Sequence, residues 1–172
     1  MAELPIVTAE NPLVRQKSIK FRVTDPSLGR LITDMVDTMR RARGVGLAGV
    51  QIGRLLRIAV IEIPGEEVLA LINPEVIRRS GERHIEEGCL SIPGYRGLVR
   101  RSDWVTVKAF NRHGKEIRIN RATGLLAQAL EHEIDHLDGT LYVDRLVSRD
   151  RIWRISERPP GADDDEEEAP GT

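Results

Sequence analysis

The sequence of 172 residues contains one cysteine, Cys89. A lone thiol cannot close an internal disulfide, so no covalent staple holds the fold and an oxidising compartment is not expected. Aromatic residues make up only 3%, so a core must be built from Leu, Ile, Val and Ala. No stretch approaches the roughly 20 apolar residues that a membrane helix requires. The opening residues Met1-Ala2-Glu3-Leu4-Pro5 lack the basic segment and apolar run of a signal peptide. Neither sign of charge dominates, with 26 Lys and Arg against 27 Asp and Glu and a net charge of -1. A broad nucleic-acid footprint would normally make the domain strongly basic. These absences predict a cytoplasmic protein of single-domain size, with no membrane and no sequence-specific nucleic-acid partner.

Charge is unevenly placed. Asp163-Asp164-Asp165-Glu166-Glu167-Glu168 lies between Pro and Gly residues near the end of the chain. Such a block repels itself and offers no apolar face, so residues 158–172 are expected to form a disordered acidic tail behind a single folded domain of residues 1–157. Without those six carboxylates, 26 basic residues face 21 acidic ones, and the body is mildly basic at about +5.

Two helices are legible. Asp25-Pro26-Ser27 offers a helix start, and Leu28, Leu31, Ile32, Met35, Val36 and Met39 recur at helical spacing. That helix is expected to stop near Gly44 and Gly46. A second helix is predicted from about Thr123, as cap, to Leu137, with Gly139 as its stop. Between them, residues 56–63, 68–72, 104–110 and a short stretch near Ile117 read as strands, with a turn expected at Asn73-Pro74. The strands do not alternate with helices. The predicted class is α+β, with short, mostly antiparallel strands around a central helix and one further helix toward the N-terminus.

The second helix contains His132-Glu133-Ile134-Asp135-His136. Histidines at i and i+4 share one helix face and can chelate one cation. Glu133 is rotated by about 100° from His132, so it flanks such a cation where a general base belongs. Leu125, Ala129, His132 and His136 follow one stripe, which should face inward. A catalytic metal commonly keeps three protein ligands and an open position. His84 and His113 are candidates for the third, in polar strand-end contexts. Cys89, in Glu87-Gly88-Cys89-Leu90-Ser91, reads in isolation as a buried structural thiol; beside a two-histidine helix lacking one ligand it becomes the stronger candidate.

Three segments together resemble the peptide deformylase family: Gly44-Val45-Gly46-Leu47-Ala48-Gly49-Val50-Gln51, Glu87-Gly88-Cys89-Leu90-Ser91 and His132-Glu133-Ile134-Asp135-His136. They come in the family's order and spacing, and Asn11-Pro12-Leu13-Val14-Arg15 adds to a resemblance spanning residues 5–150. It implies a hydrolase that removes the formyl group from N-terminal formyl-methionine of new polypeptides. The implied metal ligands are Cys89, His132 and His136. Glu133 is implied as general base and then acid, and Gln51 with the Leu90 N–H as oxyanion donors. The resemblance places Gly44, Val45 and Gly46 along the peptide backbone. It places Leu125, Gln128 and Ala129 around the methionine side chain, and Arg96 near the peptide. It implies Fe2+, with Zn2+, Ni2+ or Co2+ as substitutes, and nascent formyl-methionyl chains as partners; the basic body leaves a ribosomal contact open. The sequence departs from the family at Gly49-Val50, where Ala-Pro is usual and whose loss should loosen the loop. Glu131 replaces a usual glutamine, adding negative charge beside His132, and Gln128 makes the pocket more polar. Two other readings stand beside this one: a different HExxH-type hydrolase such as a peptidase, for which Cys89 is dispensable, and a non-catalytic module with a structural metal.

Overall fold

A computed structural model describes residues 3–157; the acidic stretch expected as a tail, 158–172, lies outside the described residues. In chain order the elements are α1 (Leu28–Arg41), β1 (Gly46–Ala48), β2 (Ile58–Ile61), β3 (Leu69–Ser80), β4 (Arg83–Cys89), β5 (Ile92–Arg101), β6 (Trp104–Phe110), β7 (Glu116–Ala122), α2 (Gly124–Leu137) and β8 (Ile152–Arg154). Five strands form one sheet in the order β1-β2-β3-β6-β7, and β4-β5-β8 form a second. Every ladder between these strands is antiparallel. The α+β class and the central helix expected from the pattern are therefore present.

Side-chain alternation along the strands gives the larger sheet two apolar faces. Ile58, Val60, Ala70 and Ile72 pack against Leu28, Ile32, Met35, Val36 and Met39 of α1. Ile61, Leu71, Val105, Val107 and Ala109 pack against Ala127, Ala129, Leu130 and Ile134 of α2. The two helices thus lie on opposite sides of one sheet. A helix that is apolar or buried on most of its circumference belongs in the interior, and α2 is buried without a break from Ala127 to Ile134.

Several boundaries differ from the sequence reading. The chain does not turn at Asn73-Pro74, because β3 continues to Ser80 with one register shift across these residues, between Ile72 and Glu75, and a second between Val76 and Arg78. Asn73 takes a left-handed φ of 52°, and its amide side chain bridges the Phe21 N–H and C=O at 2.8 and 3.0 Å. A turn-like residue is accommodated as a kink because its side chain is used by another segment. The first helix ends at Arg41, with the Gly44 N–H returning to Met39 C=O at 2.9 Å, and Gly46 lies in β1 rather than at the helix stop. The β4–β5 hairpin has no counterpart among the strands read from the sequence. Its run of charged and glycine residues carries little alternation, because two of the buried side chains on it, Glu87 and Arg101, are charged and stand beside the buried Cys89 and Val99. Gly139 does end α2, at φ 77° and against the Arg15 carbonyl.

Candidate metal centre

Three elements converge on one buried point. His132 and His136 project from successive turns of α2, and Cys89 arrives at the end of β4. Cys89 Sγ lies 3.2 Å from His136 Nε2, which is 3.0 Å from His132 Nε2. The three ligand atoms all fall within 4.8 Å of one another, and all three residues are buried. His84 and His113 do not take part. His84 is exposed and pairs with Glu82 at 3.1 Å, and His113 is exposed in the turn after β6.

The short 3-10 turn Gly49–Ile52 carries Gln51 into the same space. The Ala48 N–H donates to Gln51 Oε1 at 2.9 Å, so the amide nitrogen is the end that faces the cluster. That nitrogen lies 3.7 Å from Cys89 Sγ and 3.2 Å from Ser91 Oγ. Val50, where the family usually has proline, is fully buried in this turn. A Cβ on Gly49 would come within 2.6 Å of the Leu56 carbonyl oxygen, which accounts for glycine at that departure. Glu131, the other departure, turns away from the cluster: it accepts from Ser102 N–H at 2.8 Å and faces Arg79 at 3.4 Å.

Glu133 is fully buried, and neither carboxylate oxygen has a hydrogen-bond partner among the described residues. Burial raises its pKa to about 7, because a charged carboxylate loses hydration that nothing replaces. β1 passes directly over it, so that a Cβ on Gly46 would lie 2.8 Å from Glu133 Cδ.

Behind the histidines lies a network of alternating charge. Glu87 receives His132 Nδ1 on one side. It also receives Arg101 Nε and Nη2 at 2.9 and 2.5 Å. Arg101 extends the chain to Asp135 at 2.7 Å, and Asp135 to Arg145 at 3.1 Å. Burial opposes ionisation of Glu87, but His132 and Arg101 outweigh it and hold the carboxyl at about 2. Burial likewise pushes His132 down, and Glu87 and the Cys89 sulfur outweigh it, leaving its pKa raised. His136, with its Nδ1 unpartnered, is pushed down by burial.

The remaining expected residues are also placed. The Val45 carbonyl accepts from Glu62 N–H at 2.8 Å, and Gly44 and Gly46 flank it. Gln128 donates to the Glu86 carbonyl at 3.1 Å and lies 3.4 Å from Glu87 Oε2, while Ala129 is fully buried and Leu125 half-buried on the same helix. Leu90 and its N–H sit at the β4–β5 tip beside Cys89, and Arg96 pairs with Glu86 at 3.5 Å. Glu87, Arg101, Asp135 and Ser91 were not singled out from the sequence. Glu87 and Asp135 lie inside the motif segments, whereas Arg101 meets them only through tertiary contact.

The donor set suits a divalent cation. Two imidazoles and a thiol converge, Glu87 fixes His132 so that Nε2 is its free ligand atom, and the orphaned Glu133 oxygens adjoin the cluster. The profile of the family described as polypeptide deformylase matches residues 3–152. The chain belongs to the peptide deformylase family. A peptide deformylase of Thermomicrobium roseum is 47% identical over 180 residues, covering 100% of both chains. One from Dehalococcoides mccartyi is 47% identical over 90% of this chain and 93% of its own. The crystal structure of a peptide deformylase from Legionella pneumophila superposes with a TM-score of 0.81 at 46% identity, covering 84% of this chain and 86% of that one. That from Thermotoga maritima gives 0.82 at 32% identity, covering 86% and 100%. The activity is metal-dependent hydrolysis of the formyl group from N-formyl-methionyl peptides.

Proposed function

We propose that Cys89, His132 and His136 hold an Fe2+ ion, that Glu133 transfers the protons of hydrolysis, and that Gln51 and the Leu90 N–H receive the developing oxyanion. The observation that carries this reading is the buried Glu133 carboxylate, unpartnered among the described residues and next in the chain to His132, one of three convergent donors. When bound, the cation supplies Lewis acidity toward the formyl oxygen and toward water.

Glu133 has no competing hydrogen bond, so both oxygens are free to accept a proton from the attacking water and return it to the departing amine. Its raised pKa, about 7, suits a group that gains and loses a proton near neutrality. Gln51 is preorganised because Ala48 N–H holds its carbonyl end and turns the amide toward the cluster, where it donates to Ser91 Oγ until an oxyanion takes that place. Loss of one such donor typically costs about 2.7–4 kcal/mol of barrier. Gly46 begins β1, an edge strand of the five-stranded sheet, and Gly44 and Val45 lead into it, so this edge can accept a peptide as an added strand. Leu125, Gln128 and Ala129 lie N-terminal to His132 on α2 as the floor for the methionine side chain, with Arg96 facing the peptide.

A thiolate donor accepts softer metals than an all-oxygen site would; Fe2+ is what membership of the family implies, with Zn2+, Ni2+ or Co2+ as substitutes. A ferrous thiolate is sensitive to oxidation, which suits a reducing cytosol and protein biosynthesis as the setting, with nascent chains at the ribosome as substrate. Residues 1–157 would form the whole catalytic domain. The test is an anaerobic assay on a formyl-methionyl peptide, comparing iron-loaded wild type with Glu133→Ala. Formate release by wild type that falls by orders of magnitude in the variant, at unchanged metal content, supports these roles; equal rates refute them.

A further inference from the structure

The even charge balance of the sequence conceals a local excess. The β6–β7 hairpin, residues 104–122, carries Lys108, Arg112, Lys115, Arg118 and Arg121 against one acidic residue, Glu116. The rest of the chain up to residue 157 carries twenty basic and twenty acidic residues. The net positive charge of this part of the protein is therefore confined to one hairpin.

Its placement makes that charge a surface. Val105, Val107 and Ala109 face α2, so alternation sends Trp104, Thr106 and Lys108 to the other side of the sheet. Arg118 of β7 is the register partner of Lys108, and Arg78 of β3 is the partner of Thr106. Arg78, Arg118 and Arg121 are exposed. Like charges directly opposite one another weaken a ladder. Lys108 has a 3.6 Å ion pair with Glu116, whereas Arg118 has no acidic partner among the described residues. The ladder between β6 and β7 also bulges, placing Arg121 at a left-handed φ of 48°. That conformation is unfavourable for a side-chain-bearing residue. It sets the Arg121 guanidinium 4.3 Å over the Trp104 ring and its N–H on Thr106 Oγ1 at 3.1 Å. The hairpin thus accepts two local costs and presents a row of cations, of which Arg121 is held by Trp104, with Glu75 of β3 opposite Lys108 as an acidic residue on the same face.

We propose that this face binds the phosphate backbone of double-stranded RNA without reading its sequence. Arginine forks match phosphate oxygens, and cations on neighbouring strands and alternate residues stand about 5–7 Å apart. Among the described residues no helix lies on this charged face to enter a DNA major groove, and the cations spread over the sheet, whereas A-form RNA presents a wide, shallow groove bordered by phosphates. A membrane surface calls for several inserting apolar side chains. Here Trp104 is capped by Arg121, and the single exposed large apolar neighbour is Ile77. The face is on the opposite side of the sheet from α2, so the inference stands independently of the proposed chemistry.

The test is fluorescence anisotropy of the full chain with a labelled 20-base-pair RNA duplex between 50 and 200 mM KCl. Four phosphate contacts give a log–log salt slope of about -3.6, a loss of roughly 100-fold over that range. Arg118→Ala with Arg121→Ala should flatten the slope by about 1.8. Lys17→Ala with Lys20→Ala removes equal charge elsewhere and should leave the slope unchanged. Both double variants should hydrolyse a short formyl peptide like wild type, which also verifies folding. Equal weakening by the two double variants would mean diffuse attraction and overturn the proposal. Tighter binding of the corresponding DNA duplex, or of vesicles of phosphatidylcholine and phosphatidylglycerol, would overturn it as well.

Discussion

Gly46→Ala probes the tightest contact in the site. The added Cβ would stand 2.8 Å from Glu133 Cδ and closer still to Oε1. Carbon atoms rest at about 3.5–4.0 Å, so the pair must separate by roughly 1 Å. Glu133 is fully buried on a helix packed against the same sheet, and β1 is locked to β2 through Leu47 and its neighbours. The carboxylate, which no hydrogen bond restrains, is the part that gives way. A displacement of about 1 Å in a reacting group costs on the order of 100-fold in rate, or about 2.7 kcal/mol of barrier. Overpacking should also lower stability by about 1–3 kcal/mol. The assay is formate release from a formyl-methionyl peptide, with metal content and melting temperature measured on the same samples. The expected result is kcat down about 100-fold with full metal occupancy, since no ligand is touched. In a Glu133→Gln background the same substitution should cost much less, because the displaced base is already absent. A Gly46→Ala protein within about twofold of wild type, or an equal penalty in both backgrounds, would refute the reasoning.

Three further perturbations follow from the buried polar contacts. Arg101→Met leaves Glu87 and Asp135 without their shared cation, and chemical denaturation should show a loss of about 3–5 kcal/mol. Gly49→Ala drives a methyl group onto the Leu56 carbonyl at 2.6 Å, and should lower the melting temperature while weakening the Gln51–Ala48 bond that orients the amide. In metal-free protein, Glu133 has a folded pKa of about 7 against an ordinary 4.5, so folding favours its protonated form. Stability from this group is present below about pH 4.5 and is lost as pH rises through 7. Glu133→Gln should therefore gain on wild type by about 3 kcal/mol across that window in urea unfolding. A constant difference between the two proteins from pH 4.5 to 8 would rule this out.

The sequence by itself determined the helical elements and most of the donor set. His132 and His136 are spaced by about one helical turn with Glu133 next to His132, a local rule that folding does not have to reinterpret. The pairing of Cys89 with that helix was legible as a motif resemblance, and periodicity alone left His84 and His113 open. The β4–β5 hairpin was hidden because its interior mixes Val99 and Cys89 with two charges, Glu87 and Arg101, that satisfy one another only across the assembled fold. Long-range contact alone decided that Glu131 turns to Ser102, that Gly46 must lack a Cβ, and that Asn73 kinks β3 instead of ending it. These are statements about what lies within a few ångströms of a side chain. Spacing along the chain fixes which residues share a helix face or strand face; which faces meet is fixed only when distant segments pack.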